Sequence, residues 1–323
     1  MFQTIIDNNI QAAAHWLNAG ETVAIPTETV YGLAANALND EAVIKIFEAK
    51  GRPRFNPLIV HTYSVEAIPL FAELDAVSKK IALNLMPGAI TLLLPKKKDV
   101  PDLVTAGSQK VAIRIPNHPL TLALLQSLPF PVAAPSANPF GYVSPTTAEH
   151  VYDGLSGKIP YILNGGPCHI GVESTIVEVA NNTIVIHRNG GIEPEKLTEI
   201  TDLPIVYSNT KKIVTSGQLK SHYATNTPLL LGNIEALLPL YANKKIAVIS
   251  FATQYTTANN ITHFILSPSG NLHEAANHLF ATMRTIDTQN FDVVLAEYFP
   301  NEGLGLAIND RLKRAQAQYK STV

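Results

Sequence analysis

Three cations in five residues, Lys50, Arg52 and Arg54, leave the end of a helix-like segment on a Gly/Pro-rich loop that runs to Asn56-Pro57. Side chains of this type at this spacing can converge on one anion, such as a phosphate or a carboxylate. The pattern also has a plainer use. Cations at a helix C-terminus interact favourably with the helix dipole, by about 0.3–1 kcal/mol each. The two uses differ in what replacement does: a cation kept for a ligand can become alanine with little effect on melting, whereas a cap cannot. Upstream lies the Thr/Glu/Tyr/Gly-rich turn PTETVYGL, so Pro26 to His61 is the stretch richest in chemistry.

Four further segments place polar or special residues at strand ends. Arg114 lies within the apolar run Lys110-Val111-Ala112-Ile113-Arg114-Ile115-Pro116. Burying that charge unpaired is expensive, so it requires a carboxylate or an anionic ligand. Ser136 and Asn138 follow one strand, Ser174 precedes another, and His187-Arg188-Asn189-Gly190-Gly191 ends a third. Turn chemistry accounts for each of these alone. Together, at the edges of one sheet, they describe a pocket for a polyanionic ligand. No G-x-x-x-x-G-K-[ST] loop, no G-x-G-x-x-G after the first strand and no G-x-S-x-G elbow is present, so the site uses side-chain cations, Asn and hydroxyls.

The elements that must position these groups read as α/β. Apolar runs at 22–25, 58–60, 90–94, 111–115, 132–134, 161–163, 175–179 and 183–186 predict strands, and helical periodicity appears near 8–18, 40–50, 75–85, 118–127, 146–153 and 194–199. Asn39 or Asp40 caps the second helix and Gly51 ends it. The late strands crowd together, which predicts a twisted mixed sheet. Residues 206–228 read as a linker. From residue 229 onward strands at 245–251, 262–266 and 292–297 alternate with helices at 271–286 and 306–318, a small Rossmann-like α/β unit. The expected domains are therefore 1–205, a linker 206–228, and 229–323.

Composition narrows the class. With 323 residues, 46% hydrophobic and 15% charged, the chain is core-rich and long enough for two domains. A net charge of −2 leaves no global basic footprint for nucleic acid. The single Cys168 excludes an internal disulfide and suits a reducing cytoplasm, and it reads as buried packing. The histidines lack the spacing of a protein-built metal site. Residues 1–20 read as an amphipathic helix, not a leader, and no apolar run reaches the ~18–20 residues of a membrane span.

PTETVYGL, then KGRP-x-x-NPL-x-x-H, RIP, APSAN with Ser144 six residues after Asn138, VESTIV and R-x-G together resemble the YrdC-like domain of threonylcarbamoyl-AMP synthases. The resemblance covers residues 1 to about 205. Gly217 to Ala224 is similar to the HYAP-type linker of two-domain members, with Ser216 and Thr225 where prolines would be usual. The fold this implies is α/β: a twisted mixed-sheet YrdC-like domain followed by the small Rossmann-like domain.

The implied activity makes threonylcarbamoyl-AMP from L-threonine, bicarbonate and ATP, releasing pyrophosphate, for threonylcarbamoyl adenosine modification of tRNA. Mg2+ would accompany ATP on its phosphates, with no metal ligands from the protein. By this resemblance Thr29, His61, Arg114, Ala134 and Ser174 form the L-threonine set. Arg52, Asn56, Lys110, Ser136, Ser144, Arg188 and Tyr223 form the ATP set. Lys50, Arg52, Ser136 and Asn138 form the catalytic polar core, with the linker closing over it. Downstream, the product passes to tRNA threonylcarbamoyl transferase machinery. Two rivals remain at this level. One is an RNA-binding module, or a weak RNA contact alongside the activity. The other is a carbamoyl transferase, although the accessory modules of such proteins are lacking here.

Overall fold

The computed structural model describes residues 2–208, 215, 222–255 and 258–320, with side chains through 317. They form two compact units. The first comprises Met1–Phe140, Pro145–His169 and Glu173–Gln218, and the second Gly141–Ser144, Ile170–Val172 and Leu219–Val323. The two short segments 141–144 and 170–172 thus lie with the second unit, although in sequence they fall inside the first expected domain. Most of the expected linker, and with it Ser216 and Lys220, lies outside the described residues. Among the described residues no helix is long and apolar enough to cross a membrane.

Eleven strands build the sheet of the first unit: β1 (Ile5–Asp7), β2 (Val23–Ile25), β3 (Gly32–Asn36), β4 (Ile59–His61), β5 (Ile90–Pro95), β6 (Lys110–Arg114), β7 (Val132–Ala133), β8 (Tyr161–Leu163), β9 (Thr175–Ala180), β10 (Thr183–Arg188) and β11 (Ile205–Tyr207). Their order is β1-β8-β2-β3-β7-β4-β6-β5-β9-β10-β11, with parallel and antiparallel neighbours mixed as expected. Three of these strands escape periodicity. β3 is Gly- and Ala-rich, β1 is a three-residue edge inside a stretch that reads as helix, and β11 is a three-residue edge beside the linker. Apolar side chains fill both faces. Val60, Ile113, Leu92 and Leu94 pack with Ile46, Phe47 and Ile81, while Ile25 and Val132 pack with Leu17 and Leu124.

The helix Asp40–Lys50 shows why the cations sit where they do. Asn39 Oδ1 accepts from the N–H groups of Glu41 and Ala42 at 2.9 and 3.2 Å, and Asp40 and Glu41 complement the dipole in the first turn. Gly51 adopts the left-handed conformation (φ 63°), its N–H bonds Glu48 O, and Arg52 N–H reaches back to Phe47 O. This is a Schellman turn, and it delivers Lys50 and Arg52 on a sharp exit from the helix.

The second unit has four parallel strands, β12 (Leu229–Leu231), β13 (Ile246–Ser250), β14 (Ile261–Ile265) and β15 (Val293–Ala296), in the order β12-β15-β13-β14. Helices Leu272–Thr288 and Gly305–Lys320 complete the Rossmann-like pattern. Arg284 donates to the carbonyls of Val143 and Ser144 at 2.6 and 3.4 Å. Asp287 accepts from the Tyr142 hydroxyl at 2.9 Å and from the N–H groups of Asn226 and Thr227 at 2.8 and 3.0 Å. Gly171, at φ +80°, approaches the helix so closely that a Cβ would lie 2.4 Å from Asn277 Cα, so only glycine fits there.

Candidate active site

Strand alternation gathers much of the expected site on one face of the large sheet. His61 and Arg114 are direct partners across the parallel pair β4/β6. The register puts Ile59, Lys110 and Ala112 on their side, followed by Thr91 and Leu93 of β5 and by Ile176 and Glu178 of β9. Ile59, Leu93, Ala112 and Ile176 make a small apolar patch between these polar groups. The sequence places the polar groups at strand ends; their sharing of a face depends on register.

Arg114 finds the carboxylate its apolar strand demands. Its Nη2 lies 2.8 Å from Glu28 Oε1, with both side chains almost wholly buried (5% and 1% exposed), and its Nε donates to Gly88 O at 3.3 Å. The charges are close but not aligned, since neither that nitrogen nor either Glu28 oxygen makes a hydrogen bond. Glu28 is the main residue that sequence reasoning missed, although it stands in PTETVYGL beside the expected Thr29. The Thr27 hydroxyl lies 2.8 Å from that of Thr29 and donates to Val30 O at 2.6 Å, which fixes this turn.

Burial, reinforced by the neighbouring Arg114 cation, pushes the His61 imidazole down to about 3. It is neutral at pH 7. Its Nδ1 faces Ile59 O at 3.1 Å, which assigns the proton to Nδ1 and leaves Nε2 an acceptor. A cavity of about 190 Å³ also opens beside His61, but Leu70, Phe71, Leu125, Leu128 and Phe130 line it, making it an apolar space distinct from the polar cluster.

Ser174 is gripped from two sides. Its hydroxyl lies 2.7 Å from Thr91 Oγ1, and Arg188 Nη2 donates to that hydroxyl at 3.1 Å and to Ser174 O at 2.9 Å. Gly190 permits the approach, because a Cβ there would lie 2.2 Å from Glu173 O. Thr91 is a second residue missed, as it looks like any strand threonine.

A second group forms around the helix exit. The Lys50 ammonium donates to Ser136 O at 2.6 Å and to Asn138 O, while Lys50 O accepts from Phe140 N–H at 2.8 Å. Arg52 Nε and Nη2 donate to Asn56 O and Pro57 O at 3.2 and 2.9 Å. Both cations are buried, whereas Arg54 is exposed. They therefore brace the turns that carry Ser136, Asn138 and Asn56, and replacement should lower melting. Asn56 is fully buried, with neither amide atom hydrogen-bonded. Ala134 N–H is used by Ile59 O at 2.9 Å.

Of the other expected ATP residues, one is engaged within the first unit and two belong to the second. Lys110 pairs with Glu178, which also accepts from His187 Nε2 at 3.0 Å. The His187 hydrogen bond and the Lys110 cation hold the Glu178 carboxyl below its usual range. Ser144 and Tyr223 belong to the second unit. There Tyr223, at φ 64°, is buried, stacked on Phe280 at 5.3 Å and beneath the Arg311 guanidinium at 5.6 Å. Burial pushes the Cys168 thiol up to about 12, which fits packing and not nucleophilic attack.

Comparison with known proteins bears on both units. The family model described as "Telomere recombination" matches residues 15–190, and that described as "Threonylcarbamoyl-AMP synthase, C-terminal domain" matches residues 192–317. Threonylcarbamoyl-AMP synthase of Bacillus subtilis (strain 168) is 40% identical, covering 96% of this chain and 93% of the relative. That of Pyrococcus abyssi is 39% identical, covering 95% and 93%. The crystal structure of P. abyssi Sua5 complexed with L-threonine matches with a TM-score of 0.87 at 35% identity, over 98% of this chain and 97% of that one.

Two predictions follow from the geometry. Folded His61 is protonated only near pH 3, but the unfolded residue near 6.5. Between these values the unfolded chain binds more protons, so stability falls as pH is lowered, by on the order of 1 kcal/mol per pH unit from this group. Urea unfolding at pH 7, 6 and 5 should show a shallower pH slope in His61→Gln than in the natural chain. Lys50→Ala, which removes both bonds to the 136–138 turn, should lower unfolding free energy by about 2–4 kcal/mol as well as activity; an unchanged melting temperature would show that the turn holds itself.

Proposed function

The chain belongs to the threonylcarbamoyl-AMP synthase family, and on that premise we propose that it joins L-threonine, bicarbonate and ATP into threonylcarbamoyl-AMP with release of pyrophosphate. The observation that carries the reading furthest is Asn56. A fully buried amide with both polar atoms unused, on the residue whose main-chain carbonyl receives Arg52 Nε, is costly unless a ligand completes it.

The amine of threonine captures bicarbonate carbon to give a carbamate, and a carbamate oxygen attacks the α-phosphate of ATP in line, displacing pyrophosphate. No protein nucleophile is required, in keeping with the protonated Cys168. Catalysis rests on positioning and on charge fixed before the substrates arrive. Lys50, Arg52, Ser136 and Asn138 surround the reacting carbamate and α-phosphate, with Asn56 and Arg188 assisting on the nucleotide. Arg114 takes the threonine carboxylate, Thr29, Ala134 and Ser174 complete the threonine niche, and His61 Nε2 accepts from the substrate hydroxyl. Among the described residues no group of three His, Cys, Asp or Glu side chains is placed to hold a metal. Mg2+ would come with ATP on its phosphates and would supply charge neutralisation there. The product then serves the threonylcarbamoyl adenosine modification of tRNA by a separate transferase.

Pyrophosphate release should require both L-threonine and bicarbonate, and omission of either should abolish it; release that persists without threonine would refute the reading. Asn56→Ala separates ligand binding from structure. Because the amide contributes no hydrogen bond to the fold, stability should be unchanged or slightly raised, while kcat/KM for ATP falls about 10–100-fold.

A further inference from the structure

We propose that Glu28 receives the α-ammonium group of the amino-acid substrate and takes the proton which that group must lose to become a carbamate; the inference rests on the threonine site proposed above. A buried ion pair offsets its desolvation only when its remaining lone pairs and N–H groups are also satisfied. The Glu28–Arg114 pair violates that condition on both sides. The charges stand 2.8 Å apart and almost fully buried, yet Arg114 Nη2 and both Glu28 oxygens lack a hydrogen-bond partner. Two adjacent buried charges of opposite sign with open valences are the complement of an amino-acid zwitterion. Arg114 answers the carboxylate and Glu28 the ammonium one carbon away.

The carboxylate is also placed to stay there. The Thr27 hydroxyl accepts from the N–H groups of Thr29 and Val30 at 3.1 and 3.2 Å, closing the turn around Glu28. Its other titratable neighbours are uncharged at neutral pH. Burial lowers the His118 imidazole and pushes the Cys168 thiol up to about 12. Arg114 and the incoming ammonium are then the cations that Glu28 answers.

The step balances. Threonine ammonium, bicarbonate and the Glu28 carboxylate give the carbamate anion, water and the Glu28 carboxylic acid. The N–C bond forms and a C–O bond of bicarbonate breaks. The departing hydroxyl leaves as water with one ammonium proton, a second proton passes to Glu28, and the third stays on nitrogen.

Calorimetric titration of the full chain with L-threonine and with the 2,3-dihydroxybutyrate that carries hydroxyl in place of ammonium tests the proposal. The natural chain should prefer threonine. In Glu28→Gln, threonine affinity should fall about 10–100-fold while the hydroxy acid changes by less than about threefold. Equal losses for both ligands would show that Glu28 only holds Arg114 in place, and unchanged threonine affinity would show that it does neither; each overturns the inference. Arg114→Ala serves as the control. If it binds threonine normally, the site reading itself falls; if it loses threonine while Glu28→Gln does not, only the present inference falls. Should Glu28→Gln fail to fold, the natural chain decides alone, equal affinity for the two ligands being the refuting result.

Discussion

Taking cations out of water is the constraint around which the first unit is arranged. Lys50, Arg52, Arg114 and Arg188 are all buried, and each ion removed from water carries a penalty of several kcal/mol before its contacts are counted. The contacts that offset it run largely to main-chain carbonyls. Those of Ser136 and Asn138 receive Lys50, those of Asn56 and Pro57 receive Arg52, Gly88 receives Arg114 and Ser174 receives Arg188. Apart from that of Gly88, those carbonyls belong to turns that also bear a candidate ligand group. Folding the turn and installing the positive charge are therefore one event, and the site is rigid toward anions before any anion arrives.

The same burial holds two titratable side chains of the unit neutral. His61 is held neutral by burial and by Arg114 and acts as a fixed donor–acceptor. Cys168 is held as a thiol. That suits the proposed reaction, whose nucleophile comes from the substrates.

Much of this was legible in the sequence because backbone chemistry announces itself locally. Asn39, Gly51 and the pattern Val43, Ile44, Phe47 give the helix Asp40–Lys50 with its bounds, and Arg114 in an apolar strand demands a partner that the fold supplies. What was hidden depends on long-range register. Nothing local links Glu28 to Arg114, or Thr91 to Ser174 at 2.7 Å. Nor does Lys110 show that Glu178, far along the chain, will engage it. The cations Lys50 and Arg52 posed a choice between capping and ligand binding that local reasoning left open. Their hydrogen bonds go to carbonyls that neither alternative contains, so their effect on stability is larger than ligand service alone would give.

The placement of Gly141–Ser144 in the second unit has a consequence for how the chain is made. The Val143 and Ser144 carbonyls and the Tyr142 hydroxyl meet Arg284 and Asp287, residues a ribosome adds roughly 7–30 s later at ordinary elongation rates. Until then this segment emerges with its partners unwritten, in the middle of a unit whose strands on both sides can already pair. Nascent-chain folding thus has a scheduled gap, and a codon change that slows translation between these points lengthens the interval in which that stretch is open to a wrong partner or a chaperone.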